Sequence, residues 1–173
     1  SDIYSFYQTK LGGIVKRTIR QKIMSYLSEV ETNIIFGYGY TSPYLSFINK
    51  HNESSQVKEL RPDFLDGAVQ EKYDFEEKII HEYFIPLEPS TVDVVISSHL
   101  LEFVEKPISS IEEIWRILKP NGYFIAILPR RSGLWSRYDN NPFGYGRSYS
   151  SKQFQKLIED FFVLDNKKSF LHF

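Results

Sequence analysis

The sequence predicts an α/β fold: a mostly parallel sheet with helices on both faces, in three layers. Three observations predict it. Residues 92–129 run from an apolar strand (VDVVISS) through a helix and the turn Leu118-Lys119-Pro120-Asn121-Gly122 into a second strand, Tyr123–Leu128. Two buried parallel strands joined in this way form a βαβ unit. Earlier, the apolar run Asn33-Ile34-Ile35-Phe36 stops at Gly37-Tyr38-Gly39 and meets a new helix. Amphipathic helical patterns recur along the chain, as a sheet covered on both faces requires.

The elements follow in order. Leu11, Ile14, Val15, Ile19, Ile23 and Leu27 recur at three- and four-residue steps and predict a helix over 10–28, with Lys16, Arg17, Arg20 and Lys22 on a solvated basic face. The same basic face would also suit an acidic partner or a membrane surface. Asn33–Phe36 is a buried strand. Thr41 or Ser42 then caps a helix with Pro43 at its first position. Residues 49–78 mix five basic and eight acidic side chains, with Val57–Leu60 a short strand. Lys78–Glu82 is a further strand candidate. The helix of the βαβ unit reads as capped by Ser109 or Ser110 with Glu112 or Glu113 three residues on, its apolar stripe formed by Ile111, Ile114, Trp115 and Leu118 and its end set by Pro120 and Gly122. Residues 130–149 form a loop rich in Arg, Tyr, Asn and Gly. Ser150 and Gln153 form another capping box ahead of Phe154, Leu157, Ile158 and Phe161, and Phe162-Val163-Leu164 starts a last strand.

A chain of 173 residues suits one domain over 1–173, with 1–28 as a helical cover and 30–173 as the α/β core. The net charge of −1 argues against a nucleic-acid protein driven by overall charge. No cysteine is present, which removes disulfides, thiol nucleophiles and thiolate metal sites and fits a reducing, cytoplasmic setting. His51, His81, His99 and His172 have no close ligand spacing, so no metal is expected. No apolar run approaches the ~20 residues of a membrane helix. The chain opens on Ser1-Asp2, which reads as a trimmed start.

Four places carry chemistry. Gly37, Tyr38 and Gly39 with Thr41 form a glycine-rich turn, which lets backbone approach a cofactor closely or serves as an ordinary strand–helix turn. Ser97-Ser98-His99 follows a strand, and in such sheets ligands lie beyond the carboxyl ends of the strands. The Glu82 carboxylate would accept from a ribose hydroxyl or an adenine amino group, or is a solvated surface charge. The loop from Arg130 to Arg147 combines arginines with aromatics that clamp anionic or planar groups, or that hold the loop itself together.

Together, Phe36-Gly37-Tyr38-Gly39, Val92–Phe103 (VDVVISSHLLEF) and Leu118–Gly122 (LKPNG) resemble the class I S-adenosylmethionine-dependent methyltransferase family, over roughly residues 30–129. Phe6-Tyr7, Leu11-Gly12 and Asn141–Gly144 with Gly146-Arg147 further resemble a bacterial methyltransferase-like subgroup. The resemblance implies a Rossmann-like sheet and S-adenosylmethionine as cofactor. Gly37 and Gly39 would lie along its methionine and ribose, Glu82 near its adenine, and Ser98 or His99 near its sulfonium. It implies His99 as the base where one is needed, with Tyr7 and Tyr145 behind it.

The chain departs from that pattern. Ile35 stands where the family usually has an acid, Thr41 where it has a third glycine, and the second-strand acid has only Glu59 and Asp63 as candidates. The family's last antiparallel strand is missing, which implies a truncated chain, a strand supplied in trans or a shortened relative. An open edge of that kind invites a homo-oligomer. The implied function is therefore methyl transfer to an acceptor the sequence does not name, or a catalytically reduced binding or assembly module of the same fold. A nicotinamide enzyme is a more distant reading, resting on Glu59 about twenty residues beyond Gly39.

Overall fold

A computed structural model describes residues 3–52, 54–62, 65, 76–80, 84–129 and 147–163, with backbone alone for 76–80. Its sheet has five parallel strands: β1 (Ile34–Gly39), β2 (Gln56–Pro62), β3 (Glu76–Ile80), β4 (Val92–Ser98) and β5 (Leu118–Ile127). They lie in the order β3-β2-β1-β4-β5. The chain thus moves outward from β1 to β3, then crosses back to place β4 against β1. That reversal opens a crevice at the carboxyl ends of β1 and β4, where ligands bind in sheets of this kind. Gly39 pairs with Ser98 at its rim.

Side chains alternate across the strands and build one core on each face. Ile35, Val94 and Ile96 join α1 (Ile3–Gln8), α2 (Lys10–Leu27) and α3 (Ser42–His51) on one side. Phe36, Tyr38 and Val95 meet α4 (Pro107–Ile117) and α5 (Ser151–Ile158) on the other. A register shift between Val92 and Val94 turns Val92 to the α4 side. The expected three layers are therefore present.

Several local expectations change. The buried stripe of α2 is Gly12, Val15, Ile19, Ile23 and Leu27, whereas Leu11 and Ile14 are about half exposed. The cause is α1, whose backbone lies so close to Gly12 that a Cβ there would stand 2.1 Å from the Phe6 carbonyl oxygen. Arg20, expected on the solvated basic face, donates to the Pro43 carbonyl from Nε and Nη2 and lies over the Phe47 ring.

Helix α4 starts at Pro107, not at Ser109 or Ser110, and its first position suits proline's fixed φ. Glu113 is consequently no cap. It accepts from the Ile85 N–H and from Arg116, which itself donates to the Ile85 and Leu87 carbonyls. Trp115 leaves the buried stripe and is mostly exposed. Leu118–Pro120 belong to β5 rather than to a turn, tied in by a Leu118–Val92 pair and a 2.7 Å contact from Lys119 Nζ to Asp93.

The Ser150–Gln153 capping box forms as expected. Phe162 and Val163 lie outside any strand, and Leu164 falls outside the described residues.

Candidate functional site

The turn after β1 owes both glycines to packing. Gly39 has φ +105°, a conformation side chains rarely adopt, and a Cβ there would sit 2.4 Å from the Ser98 carbonyl oxygen. A Cβ on Gly37 would sit 2.2 Å from Thr41 Oγ1 and 2.4 Å from Leu45 Cδ1. This closeness lets the Tyr40 N–H donate to the Ser98 carbonyl at 2.7 Å. The tip of the turn is thereby fastened to the end of β4.

Thr41 occupies the N-cap position of α3, but its side chain does no capping. Its N–H and hydroxyl both donate to Glu59 Oε1, at 3.0 and 2.6 Å. The Ser42 hydroxyl donates to the same carboxylate, and Arg61 Nη2 meets Glu59 Oε2 at 2.9 Å. Glu59 is 2% exposed and Arg61 3%. A carboxylate thus lies at the α3 N-terminus, where the partial positive charge of the helix favours an anion. Sequence reasoning held Glu59 available for a ribose. Its alternate position in β2 instead turns it inward, onto groups of its own chain.

The end of β4 is organised differently. His99 follows Ser98 with φ +50° and is buried. Its Nδ1 lies 2.9 Å from Glu102 Oε1 and its Nε2 2.9 Å from the Tyr7 hydroxyl. Tyr7 comes from α1, and its oxygen is 2.7 Å from the Tyr44 hydroxyl on α3. An ionised carboxylate only accepts, so Nδ1 carries the ring proton toward Glu102. In the neutral ring Nε2 then accepts from Tyr7, and Tyr7 accepts from Tyr44. Burial pushes the Tyr7 hydroxyl well above the usual phenol range, with Tyr44, Tyr40 and Glu102 adding to the rise. Burial raises Tyr44 as well. Both phenols keep their protons as donors. Ser97 Oγ and Glu102 Oε2 are buried and find no partner among the described residues.

Of the residues singled out in the sequence, Gly37, Tyr38, Gly39, Thr41, Ser98 and His99 are brought together where β1 and β4 end. Tyr38 packs in the α4-side core. Glu82, Asp63 and Tyr145 lie outside the described residues, as does the loop from Arg130 to Gly146. The close of that loop meets the site's flank: the Arg147 N–H donates to the Glu102 carbonyl and the Tyr149 hydroxyl to that of Leu101. Sequence reasoning missed Glu102 and Tyr44. The three-residue spacing from His99 to Glu102 was a usable signal for the first, but only the fold brings Tyr44 near. Among the described residues no group of His, Asp and Glu could hold a metal ion, and no helix is long and apolar enough to cross a membrane.

The fold and crevice define a Rossmann-like methyltransferase architecture. The methyltransferase domain family matches residues 34–126, more than half of the chain, and the protein belongs to that family. It is 30% identical to the human mitochondrial protein named arginine-hydroxylase NDUFAF5 over 96 residues, 53% of this chain and 26% of that protein. The chain therefore spans about a quarter of that relative's length. Its fold matches a SAM-dependent methyltransferase from Thermotoga maritima with TM-score 0.66 at 18% identity, covering 84% of this chain and 69% of the other. It matches the CurJ carbon methyltransferase with TM-score 0.70 at 16% identity, covering 91% and 49%.

The polar groups of the turn are engaged with one another. The Tyr40 and Thr41 N–H groups, the Thr41 and Ser42 hydroxyls and the Glu59 carboxylate are already joined within the chain. Among the described residues, Ser97 Oγ in β4 and Glu102 Oε2 just beyond it are buried without partners.

Proposed function

We propose that this chain carries the catalytic fold of an S-adenosylmethionine-dependent methyltransferase whose acceptor binds against the end of β4. The family match over 34–126 carries the reading. What supports the location is the buried His99–Glu102 pair just after β4, at the crevice between β1 and β4. There His99 would take a proton from an acceptor, and Ser98 and the Gly37–Thr41 turn would border the cofactor. Because the turn is closed on Glu59, cofactor entry requires Thr41 and Ser42 to release that carboxylate. Isothermal titration with S-adenosylmethionine and its demethylated product tests the reading. Saturable binding by the folded chain is expected, and no heat at millimolar ligand would refute it.

The closed turn favours a second reading: a methyltransferase fold kept as a binding or assembly module. A cavity of about 1050 Å³ runs along β5, between Ile23 and Tyr26 of α2 and Trp115, Phe161 and Phe162 on the other face. A homo-oligomer through the β5 edge is the form this reading takes. Sedimentation showing only monomer at high concentration would remove it.

A further inference from the structure

The Tyr7 side chain is held as a bound aromatic alcohol would be. Its ring stacks on Tyr40, with centroids 5.7 Å apart and planes 22° apart, and meets the Tyr44 ring edge-on at 6.3 Å. Its hydroxyl sits between His99 Nε2 and the Tyr44 oxygen. Three walls of this space come from the crevice itself: Tyr40 from the turn, Tyr44 from α3 and His99 from the end of β4. Only the occupant comes from α1, a six-residue helix whose buried residues are Ile3 and Tyr7.

We propose that the space filled by Tyr7 is a subsite for an aryl hydroxyl, entered when α1 yields it. In this subsite Glu102 is the positioning residue that keeps His99 Nε2 an acceptor. The polar partners select the class of ligand. With Nδ1–H fixed on Glu102, Nε2 presents a lone pair, while Tyr44 presents a hydroxyl. A group that donates to the first and accepts from the second is a hydroxyl. An ammonium only donates, so Tyr44 would have to accept from it and turn its own proton away, toward Ser98. A carboxylate only accepts, so it faces the Nε2 lone pair and the nearby Glu102 charge. The Tyr40 face adds the requirement for a flat ring, because aromatic pairs favour offset stacking. An aliphatic alcohol leaves that face uncovered. The inference rests on the proposed function only in calling this ligand the methyl acceptor; the subsite itself does not depend on the cofactor.

The test uses the full chain without cofactor. Titration of Tyr7→Ala with 4-methylphenol, followed by ¹⁵N signals of the His99 ring, is expected to show saturable binding at least tenfold tighter than toluene, with the Nε2 resonance moving. Adding Glu102→Gln is expected to reduce that preference to under threefold. N-acetyl-tyrosine amide, run beside 4-methylphenol, separates a tyrosyl residue from a free small phenol, and binding of either supports the subsite. Wild-type protein serves where Tyr7→Ala fails to fold. There the same His99 shift is expected at higher phenol concentration, with faster amide exchange in residues 3–8 as Tyr7 is displaced. Equal binding of toluene and 4-methylphenol, or an unmoved His99 signal in wild type at the solubility limit of the phenol, would overturn the proposal. Titration with S-adenosylmethionine is read separately, so its failure would count against the methyltransferase reading alone.

Discussion

At the turn after β1, Thr41, Ser42 and Arg61 converge on one carboxylate, Glu59, and the Tyr40 N–H closes on Ser98. At the end of β4, Ser97 Oγ and Glu102 Oε2 are buried without partners among the described residues, and His99 leans on a tyrosine from a separate helix. The first arrangement is self-sufficient and stabilises the fold without any ligand. The second draws on α1, through the Tyr7 hydroxyl. The contrast teaches that two neighbouring strands can end differently: one in a turn closed on its own carboxylate, the other in a buried pair that leans on a separate helix.

Substitutions that break this contrast rank by the charge they strand. Glu59→Ala takes the carboxylate from the buried Arg61 and from three further donors, the Thr41 N–H and the Thr41 and Ser42 hydroxyls. Loss of about 3–5 kcal/mol in urea unfolding is expected. A change below about 1 kcal/mol would show that the turn is not held by Glu59.

Gly39→Ala comes next, because it forces a side chain into φ +105° against the Ser98 carbonyl. A cost of about 2–4 kcal/mol is expected, read from the same unfolding curves.

Tyr7→Phe keeps the ring stacked and removes only the hydroxyl shared with His99 and Tyr44. A loss of about 1–3 kcal/mol is expected from the unpaired polar groups left behind. A neutral result would mean that the β4 end is satisfied without α1.

The smallest effect is a pH dependence far from the crevice. Burial raises the Asp93 carboxyl, but hydrogen bonds from Lys119 and from the Ile34 and Asn33 N–H groups outweigh it and hold the group below its ordinary value. A depressed folded value means that the contribution is present above the unfolded value and is lost as pH falls through the folded one. Stability should therefore decline below about pH 4, and Asp93→Asn should flatten that part of the curve in thermal melts taken across pH.

The fold was legible where one physical demand dominated. Val92–Ile96 had to be a strand because both its faces are buried, and Ser150 with Gln153 announced a helix start through local hydrogen bonds alone. Legibility failed where tertiary contacts overrode local signals. Strand β2 reads as a polar segment because Glu59 and Arg61 neutralise one another inside it, a pairing that needs the turn 18 residues earlier to make sense. The start of α4 was misplaced because Pro107 outweighed two serines. At the site, Ser98 and His99 were identifiable from their place after an apolar strand. The partners that give His99 its orientation were not, since Tyr7 lies 92 residues away.

The reversal of strand order also sets when the crevice comes into being. Asp93, at the start of β4, bonds to Ile34, 59 residues earlier, and the β1–β4 ladder that follows is among the most non-local pairings in the sheet. Such contacts close late, because loop entropy must be overcome before they contribute. Neither Gly39 nor His99 meets its counterpart in a half-folded chain. A ligand held between them would therefore recognise only the finished molecule, and would raise its melting temperature by mass action without accelerating its folding.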